Sequence, residues 1–167
     1  MTISHNNGQL YNRHTLWRPT LRNYINRTPP QGKRKALAMV TSLLLTLGYS
    51  TMIYWLSSIP GETDPENPLL SGIIVWTPPA IQNLAHIPVF GLLALLWHHT
   101  LSTWRVKGRR LSASAFLLAA GFGIFDEWHQ LHVPGRYASF TDILLNTAGA
   151  AIAIWLLSRA AHKQPTA

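Results

Sequence analysis

Four long apolar segments follow a polar N-terminal stretch and set the organisation of the chain. The first, residues 36–56, contains no charged residue and has the roughly 20-residue length that a helix needs to cross the hydrocarbon core of a bilayer. A helix on a soluble protein shows a polar face every 3.6 residues, but this segment offers only Ser, Thr, Gly and Tyr for one. The pattern predicts an all-α, polytopic membrane protein, a bundle of four transmembrane helices spanning Ala36–Leu56, Ile81–Leu101, Leu111–Leu131 and Phe140–Leu157.

The basic residues between these segments predict the orientation. Seven Lys or Arg residues precede the first segment, four lie in the second loop and two follow the last segment, whereas the first loop has none and the third has only Arg136. Because cytoplasmic loops carry the excess of Lys and Arg, this thirteen-to-one distribution predicts that both termini are cytoplasmic. The first and third loops, and the helix ends they join, are then on the outer side.

Composition divides the chain into three parts. We expect a basic cytoplasmic tail over residues 1–35, a membrane domain over 36–158 and a cytoplasmic C-terminal tail over 159–167. The formal charge of +8 is concentrated in the tail and the cytoplasmic loops. We therefore interpret the basic residues as determinants of membrane orientation and as contacts to anionic lipid, not as a nucleic-acid-binding surface. An Arg-rich tail with no acid also resembles a mitochondrial transit peptide, but we expect the bacterial inner (cytoplasmic) membrane. The chain has no cysteine, which excludes disulfides and thiolate chemistry.

Polar residues converge at the predicted outer end of the bundle. Helical spacing brings Gln130 beside Asp126 and Glu127, and the loop that follows contains Arg136. The topology places His86 of the second segment at the same depth. We call this set the polar cluster and expect it to bind a ligand or to hold the helices together: His86, Asp126, Glu127, Gln130, Arg136, Ser139, Asp142 and Asn146.

Structural roles remain open for several of these residues. Two acids at a helix C-terminus oppose the macrodipole, and we expect Arg136 to pair with them, since it is the only predicted outer-side cation. Ser139 and Asp142 form a capping-box pattern that would serve to start the fourth helix alone. Asn146 is suited either to an interhelical hydrogen bond or to a role in a functional site. Gly149 and Ala153, on the same face of the fourth helix, favour close packing.

The residues Asp126-Glu127-x-x-Gln130, followed by Arg136, Ser139, Asp142, Asn146 and Gly149, resemble those of the VanZ-like membrane proteins in order and spacing. Asn83-x-x-His86-x-x-x-Phe90 is a weaker match, in a stretch where the family often has Lys and Tyr. Ser58-x-Pro60-Gly61 is similar to the family's first outer loop. The resemblance leaves out the first 35 residues. It implies a cell-envelope protein, and low-level resistance to the glycopeptide teicoplanin is the property of the member that names the family.

Three functions follow as hypotheses. The first is a binding protein whose polar cluster engages membrane lipids, a lipid-linked wall precursor or a lipophilic glycopeptide. The second is a membrane enzyme with Asp126, Glu127 and His86 as catalytic candidates and Arg136 holding a phosphate. The third is a small transporter or partner subunit, and a homo-oligomer is compatible with each. A metal site would use Asp126, Glu127, His129 and His132, but their spacing matches no metal motif, so we predict no metal and no cofactor.

Overall fold

The computed structural model describes residues 31–62 and 68–162, and from Lys35 onward the chain forms one compact unit. All regular structure in the described residues is helical, which confirms the all-α prediction. Four helices are long and one is short: α1 over Gln31–Ser57, α2 over Pro68–Trp76, α3 over Pro79–Thr103, α4 over Gly108–Gln130 and α5 over Phe140–His162.

The long helices match the predicted segments, with differences at their ends. α1 begins at Gln31 and so includes Lys33, Arg34 and Lys35, which we expected in the tail, and α5 continues past Leu157 to His162. The rest of the predicted tail lies outside the described residues. The interpretation of residues 57–80 as a loop was wrong over α2, an apolar helix of nine residues. Pro68 suits its first position, where the missing N–H is not needed. A run of nine residues is too short to span a bilayer, so a search for membrane-spanning segments does not detect it.

Three of the described helices are long and apolar enough to cross a membrane: Gln31–Ser57, Ala80–Thr103 and Phe140–Ala161. α4 does not reach the same hydropathy, because Arg109 and Arg110 stand at its start and Asp126 and Glu127 near its end. The chain is therefore a multi-pass membrane protein by helix composition. The fourth span and the orientation stay predictions.

Burial follows the pattern of a membrane bundle, with large apolar side chains outside and polar ones inside. Leu44, Leu117 and Leu144, on three different helices, are 63%, 65% and 53% exposed. Thr46 and Asn146 are fully buried. In lipid, helices gain little by hiding leucine from each other, so small residues and interhelical hydrogen bonds hold them together.

α3, α4 and α5 pack closely against one another, and glycines set the approach of α3 to α5. A side-chain carbon added at Gly149 would collide with the backbone carbonyl of Ile87. One added at Gly91 would lie 3.2 Å from the Gly149 carbonyl oxygen and 3.5 Å from the Cβ of Ala153. The packing role predicted for Gly149 and Ala153 is confirmed. This contact brings the first two turns of α3 and α5 side by side.

A ladder of hydroxyl groups joins α1 to α3 in the half of the bundle away from the polar cluster. Thr46 Oγ1 lies 2.8 Å from Thr100 Oγ1, and Thr100 Oγ1 donates to the Ser42 carbonyl at 3.0 Å. Ser42 Oγ lies 3.2 Å from Thr103 Oγ1. We call these four residues the serine–threonine ladder. The buried hydroxyls of α1 thus reach a second helix.

Candidate functional site

One end of the bundle collects the polar cluster. α1 and α4 end there, and α3 and α5 begin there. His86 lies seven residues after the start of α3 and Asn146 six after the start of α5, which places both roughly 10 Å inside the bundle at 1.5 Å per residue. The site is therefore set into the bundle and is not a rim of surface charges.

His86 and Asn146 join α3 to α5 through their side chains. His86 Nδ1 lies 2.8 Å from Asn146 Oδ1, so the ring nitrogen donates and the amide oxygen accepts. Asn146 is fully buried, and a side-chain carbon at Gly123 would lie 2.9 Å from its Cβ. Gly123 thus leaves the room on α4 that Asn146 needs, a role that the sequence alone did not reveal.

The two acids at the end of α4 make different contacts. Gln130 Nε2 donates to Asp126 Oδ2 at 3.2 Å, one turn along the same helix, as the spacing predicts. Glu127 Oε2 accepts the backbone N–H of Ser139 at 3.0 Å. Both acids are only 1% exposed. Their burial excludes an ordinary acidic helix end in water.

The capping box predicted for Ser139 and Asp142 is replaced by a tertiary cap. In that motif the side chain of Asp142 would reach back to the N–H of Ser139. Here the acceptor is Glu127 of α4, while the Ser139 carbonyl accepts the N–H groups of Asp142 and Ile143 at 3.1 and 3.2 Å. Glu127 therefore fixes the start of α5 against the end of α4.

Arg136 does not form the direct ion pair that the charge count suggested, within the part of the chain that the structure describes. Its Nε donates to the carbonyl oxygen of Ile59 at 3.1 Å. Burial lowers the pKa of Arg136, whereas the charges of Asp126, Glu127 and Asp142 raise it. The guanidinium therefore interacts electrostatically with three carboxylates without forming a direct ion pair with any of them in the described structure. A backbone carbonyl was an acceptor that no side-chain pattern could have indicated.

Two glycines bring the loop of Arg136 onto the end of α1. The N–H of Gly61 donates to the Pro134 carbonyl at 3.0 Å. Gly135 has φ +69, and an added Cβ there would lie 2.8 Å from the backbone nitrogen of Glu62. The first and third loops are thus in contact, which explains in physical terms why Pro60-Gly61 occurs beside the site.

Four buried side-chain atoms of the cluster have no hydrogen-bond partner among the described residues: Asp126 Oδ1, Glu127 Oε1, Asp142 Oδ1 and Asn146 Nδ2. A buried polar group left unpaired costs about 1–3 kcal/mol, and more when it is charged. Such groups are rare in folded proteins, and their concentration in one place marks this end of the bundle as a candidate site whose partners lie outside the described residues.

A cavity of about 720 Å³ opens beside these groups. His86, Asp126, Gln130, Arg136 and Asp142 line its polar side. Apolar side chains line the rest, among them Ile53, Leu56, Ile81 and Val89. The lining of the cavity is therefore amphipathic, since it combines charged and polar side chains with apolar ones.

The histidines of the alternative metal set lie apart from the site. His129 Nε2 is 2.9 Å from Ser58 Oγ, and its ring lies 4.2 Å from that of Tyr54. His132 is exposed, with Nδ1 3.0 Å from the Trp128 carbonyl. In the described chain, the donor atoms that do converge belong to His86, Glu127 and Asp142, all within 4.8 Å of one another. The proposed set of Asp126, Glu127, His129 and His132 was therefore wrong as a group.

Fold and site together define a class: a small multi-pass helical membrane protein with a buried, charged site at one end of its bundle. The family model described as VanZ/LLP1 matches residues 26–161, and the chain belongs to this family. The match begins at residue 26, within the stretch that we had left outside the resemblance. Searches of curated proteins and of solved structures gave no significant match.

Proposed function

We propose that this protein binds the polar headgroup of a membrane lipid, or of a lipid-linked wall precursor, at the outer surface of the cytoplasmic membrane. The observation that carries the proposal is the amphipathic cavity. A lipid presents a charged or hydroxylated head and a hydrocarbon chain, and the cavity lining includes both polar and apolar side chains that match them.

Charge and depth support this ligand class. Arg136 is the one cationic side chain that lines the cavity among the described residues, and a guanidinium recognises phosphate oxygens with directed hydrogen bonds. Its Nε donates to Ile59, and the terminal nitrogens form no hydrogen bond with the residues that the structure describes. The positive-inside bias supports an outer site, where wall precursors are consumed.

Size limits the ligand. About 720 Å³ is the volume of a site for a drug-sized molecule. A headgroup with the first part of its chain fits this volume. A lipophilic glycopeptide would place only its acyl chain there. Low-level teicoplanin resistance would then follow from a change in the lipids or wall precursors exposed at the membrane surface. The inhibitory concentration of teicoplanin would be lower in a deletion strain and would return to the wild-type value when the intact gene is restored.

The binding proposal is tested by narrowing the cavity. Ala85 lines it, and its neighbour Leu84 is 61% exposed and does not. We expect Ala85→Phe to reduce the lipid that copurifies with the protein, measured by native mass spectrometry, while Leu84→Phe retains it. Equal retention by both variants, at equal folded yield, would show that lipids bind elsewhere.

A membrane enzyme is the second candidate, favoured by the unpartnered oxygens of Glu127 and Asp142 near His86. A buried carboxylate with a free oxygen beside an imidazole is suited to general acid–base work on a bound lipid. Lipidomes of a deletion strain, a restored strain and a Glu127→Gln strain separate the two functions. A lipid species that accumulates in both the deletion and Glu127→Gln strains, and that the purified protein converts, indicates catalysis.

A further inference from the structure

Three of the four long helices that meet at the site each contribute one metal-binding side chain. His86 comes from α3, Glu127 from α4 and Asp142 from α5, and one ligand atom of each lies within 4.8 Å of the others. Ligands stand roughly 2.0–2.2 Å from a divalent ion such as Zn²⁺, so two ligands of one ion are at most about 4.4 Å apart. Small side-chain adjustments would bring all three to bonding distance. We propose that His86, Glu127 and Asp142 bind a divalent metal ion.

The carboxylates are held in the way that ligands are. Glu127 uses one oxygen to accept the N–H of Ser139, and its other oxygen has no partner among the described residues. Asp142 likewise has an unpartnered Oδ1 and is only 9% exposed. Packing alone does not require two buried acids with free oxygens a few ångströms apart, and a shared cation explains both.

The histidine has the support that a ligand needs. Its Nδ1 donates to Asn146 Oδ1 at 2.8 Å, which places the lone pair on Nε2. Metal-binding histidines almost always donate their second ring nitrogen to an oxygen in this way, and the bond fixes both tautomer and ring orientation. Phe90 also helps to orient the imidazole, since its ring lies nearly parallel to that of His86 at a centroid distance of 6.2 Å. Asn146 is thus a positioning residue of the site.

The charge of the cluster requires compensation. Asp126, Glu127 and Asp142 stand against one guanidinium, that of Arg136, which leaves a formal charge of −2 with the carboxylates ionised. Uncompensated charge within a membrane bundle is costly. One divalent cation makes the cluster neutral, and it would also allow the cavity to accept an anionic headgroup.

The donor set selects the kind of ion. Carboxylates suit Mg²⁺, Ca²⁺ and Mn²⁺, whereas imidazole suits Zn²⁺ and other later transition metals. One imidazole with two carboxylates therefore favours Zn²⁺ or Mn²⁺ over Mg²⁺ and Ca²⁺. Three protein ligands leave coordination positions open, and His86 and Asp142 both line the cavity, so an oxygen of a bound molecule can reach the ion.

The test uses the full-length purified chain in detergent, without added lipid, so its result does not depend on the proposed lipid binding. The protein is loaded with ZnCl₂ or MnCl₂, desalted and measured by elemental mass spectrometry. We expect about one ion per chain, a loss of at least tenfold in occupancy in His86→Gln and Glu127→Gln, and no change in His129→Gln or His132→Gln. Addition of Zn²⁺ should raise the melting temperature of the wild type by roughly 5 °C and leave that of Glu127→Gln unchanged.

A measurement on the unmodified protein covers the case in which a variant fails to fold. Electron spin echo modulation of Mn²⁺ bound to the wild-type chain should show coupling to one imidazole nitrogen, and this coupling should change when the histidines carry ¹⁵N. Wild-type protein that keeps no ion, Mn²⁺ without nitrogen coupling, or ions kept equally by His86→Gln and Glu127→Gln would each overturn the site.

Discussion

Two regions of the bundle bury polar side chains, and they satisfy them differently. In the serine–threonine ladder, the hydroxyls of Thr46 and Thr100 each find a partner on the other helix, a carbonyl or a second hydroxyl. In the polar cluster, four buried atoms find none among the described residues. A region that only holds helices together has no reason to leave polar atoms unpaired, because each one costs stability. This difference supports the proposal that the polar cluster, unlike the ladder, is arranged for a ligand.

The largest expected effect concerns the side of the membrane on which the two regions lie. The chain has no cysteine, so single cysteines can report it. Tyr137 is 86% exposed at the cluster end, and Lys107 is exposed at the ladder end. In intact cells we expect Tyr137→Cys to react fully with an impermeant maleimide and Lys107→Cys not at all, with a permeant maleimide labelling both. The reverse pattern would move the site to the cytoplasm and remove wall precursors on the outer surface from consideration.

The second-largest effect is expected where α3 packs against α5, a contact that supports both regions. In Gly149→Ala the new methyl group collides with the carbonyl of Ile87, so the helices must separate. We expect a loss of about 3 kcal/mol in the free energy of unfolding, in the range of overpacked cores. Gly121→Ala is the matched control, because an added carbon there meets nothing within 4 Å and alanine favours helix by about 1 kcal/mol. Unfolding in detergent titrations compares them, and equal stability would mean that α3 and α5 slide apart freely.

The cluster itself is tested through Arg136. Its loss leaves three buried acids uncompensated, so Arg136→Gln should cost about 2 kcal/mol. Arg136→Lys keeps the charge but loses the bond to Ile59, which separates charge from geometry. Because the guanidinium has no direct carboxylate partner, we expect Glu127→Gln to restore only about 1 kcal/mol in the double mutant. Thermal unfolding of the wild type, Arg136→Gln, Glu127→Gln and the double mutant gives this coupling energy. Purely additive losses would show that the two charges act independently.

The sequence predicted the residues of the cluster better than their partners. Apolar length identified four long helices, and charge at their ends identified where polar residues collect. The hydrogen-bond partners could not be predicted, because Ser139 donates a backbone N–H to Glu127 and Ile59 accepts from Arg136 with a backbone carbonyl. Such groups are present at every residue, and only the tertiary fold selects one. The ladder shows the same limit, since the spacing of Ser42, Thr46 and Ser50 marks a face of α1 but does not identify α3 as its partner.

The smallest expected effect is in the ladder. Thr46 Oγ1 contacts α3 at Thr100 Oγ1 and at the Leu96 carbonyl, and it also contacts the Ser42 carbonyl of its own helix. Thr46→Val therefore removes the interhelical hydrogen bonding of this hydroxyl at nearly constant shape. Interhelical hydrogen bonds in membrane proteins are worth about 0.6 kcal/mol on average and less than 2 at most, and we expect a loss of about 1 kcal/mol. Thr51→Val is the control, because Thr51 is exposed and, among the described residues, bonds only to Leu47 of its own helix. Both variants should keep lipid and metal occupancy at the wild-type level. If Thr46→Val lost occupancy while remaining folded, the ladder would be coupled to the site, and the division of the bundle into a structural and a ligand-binding region would be wrong.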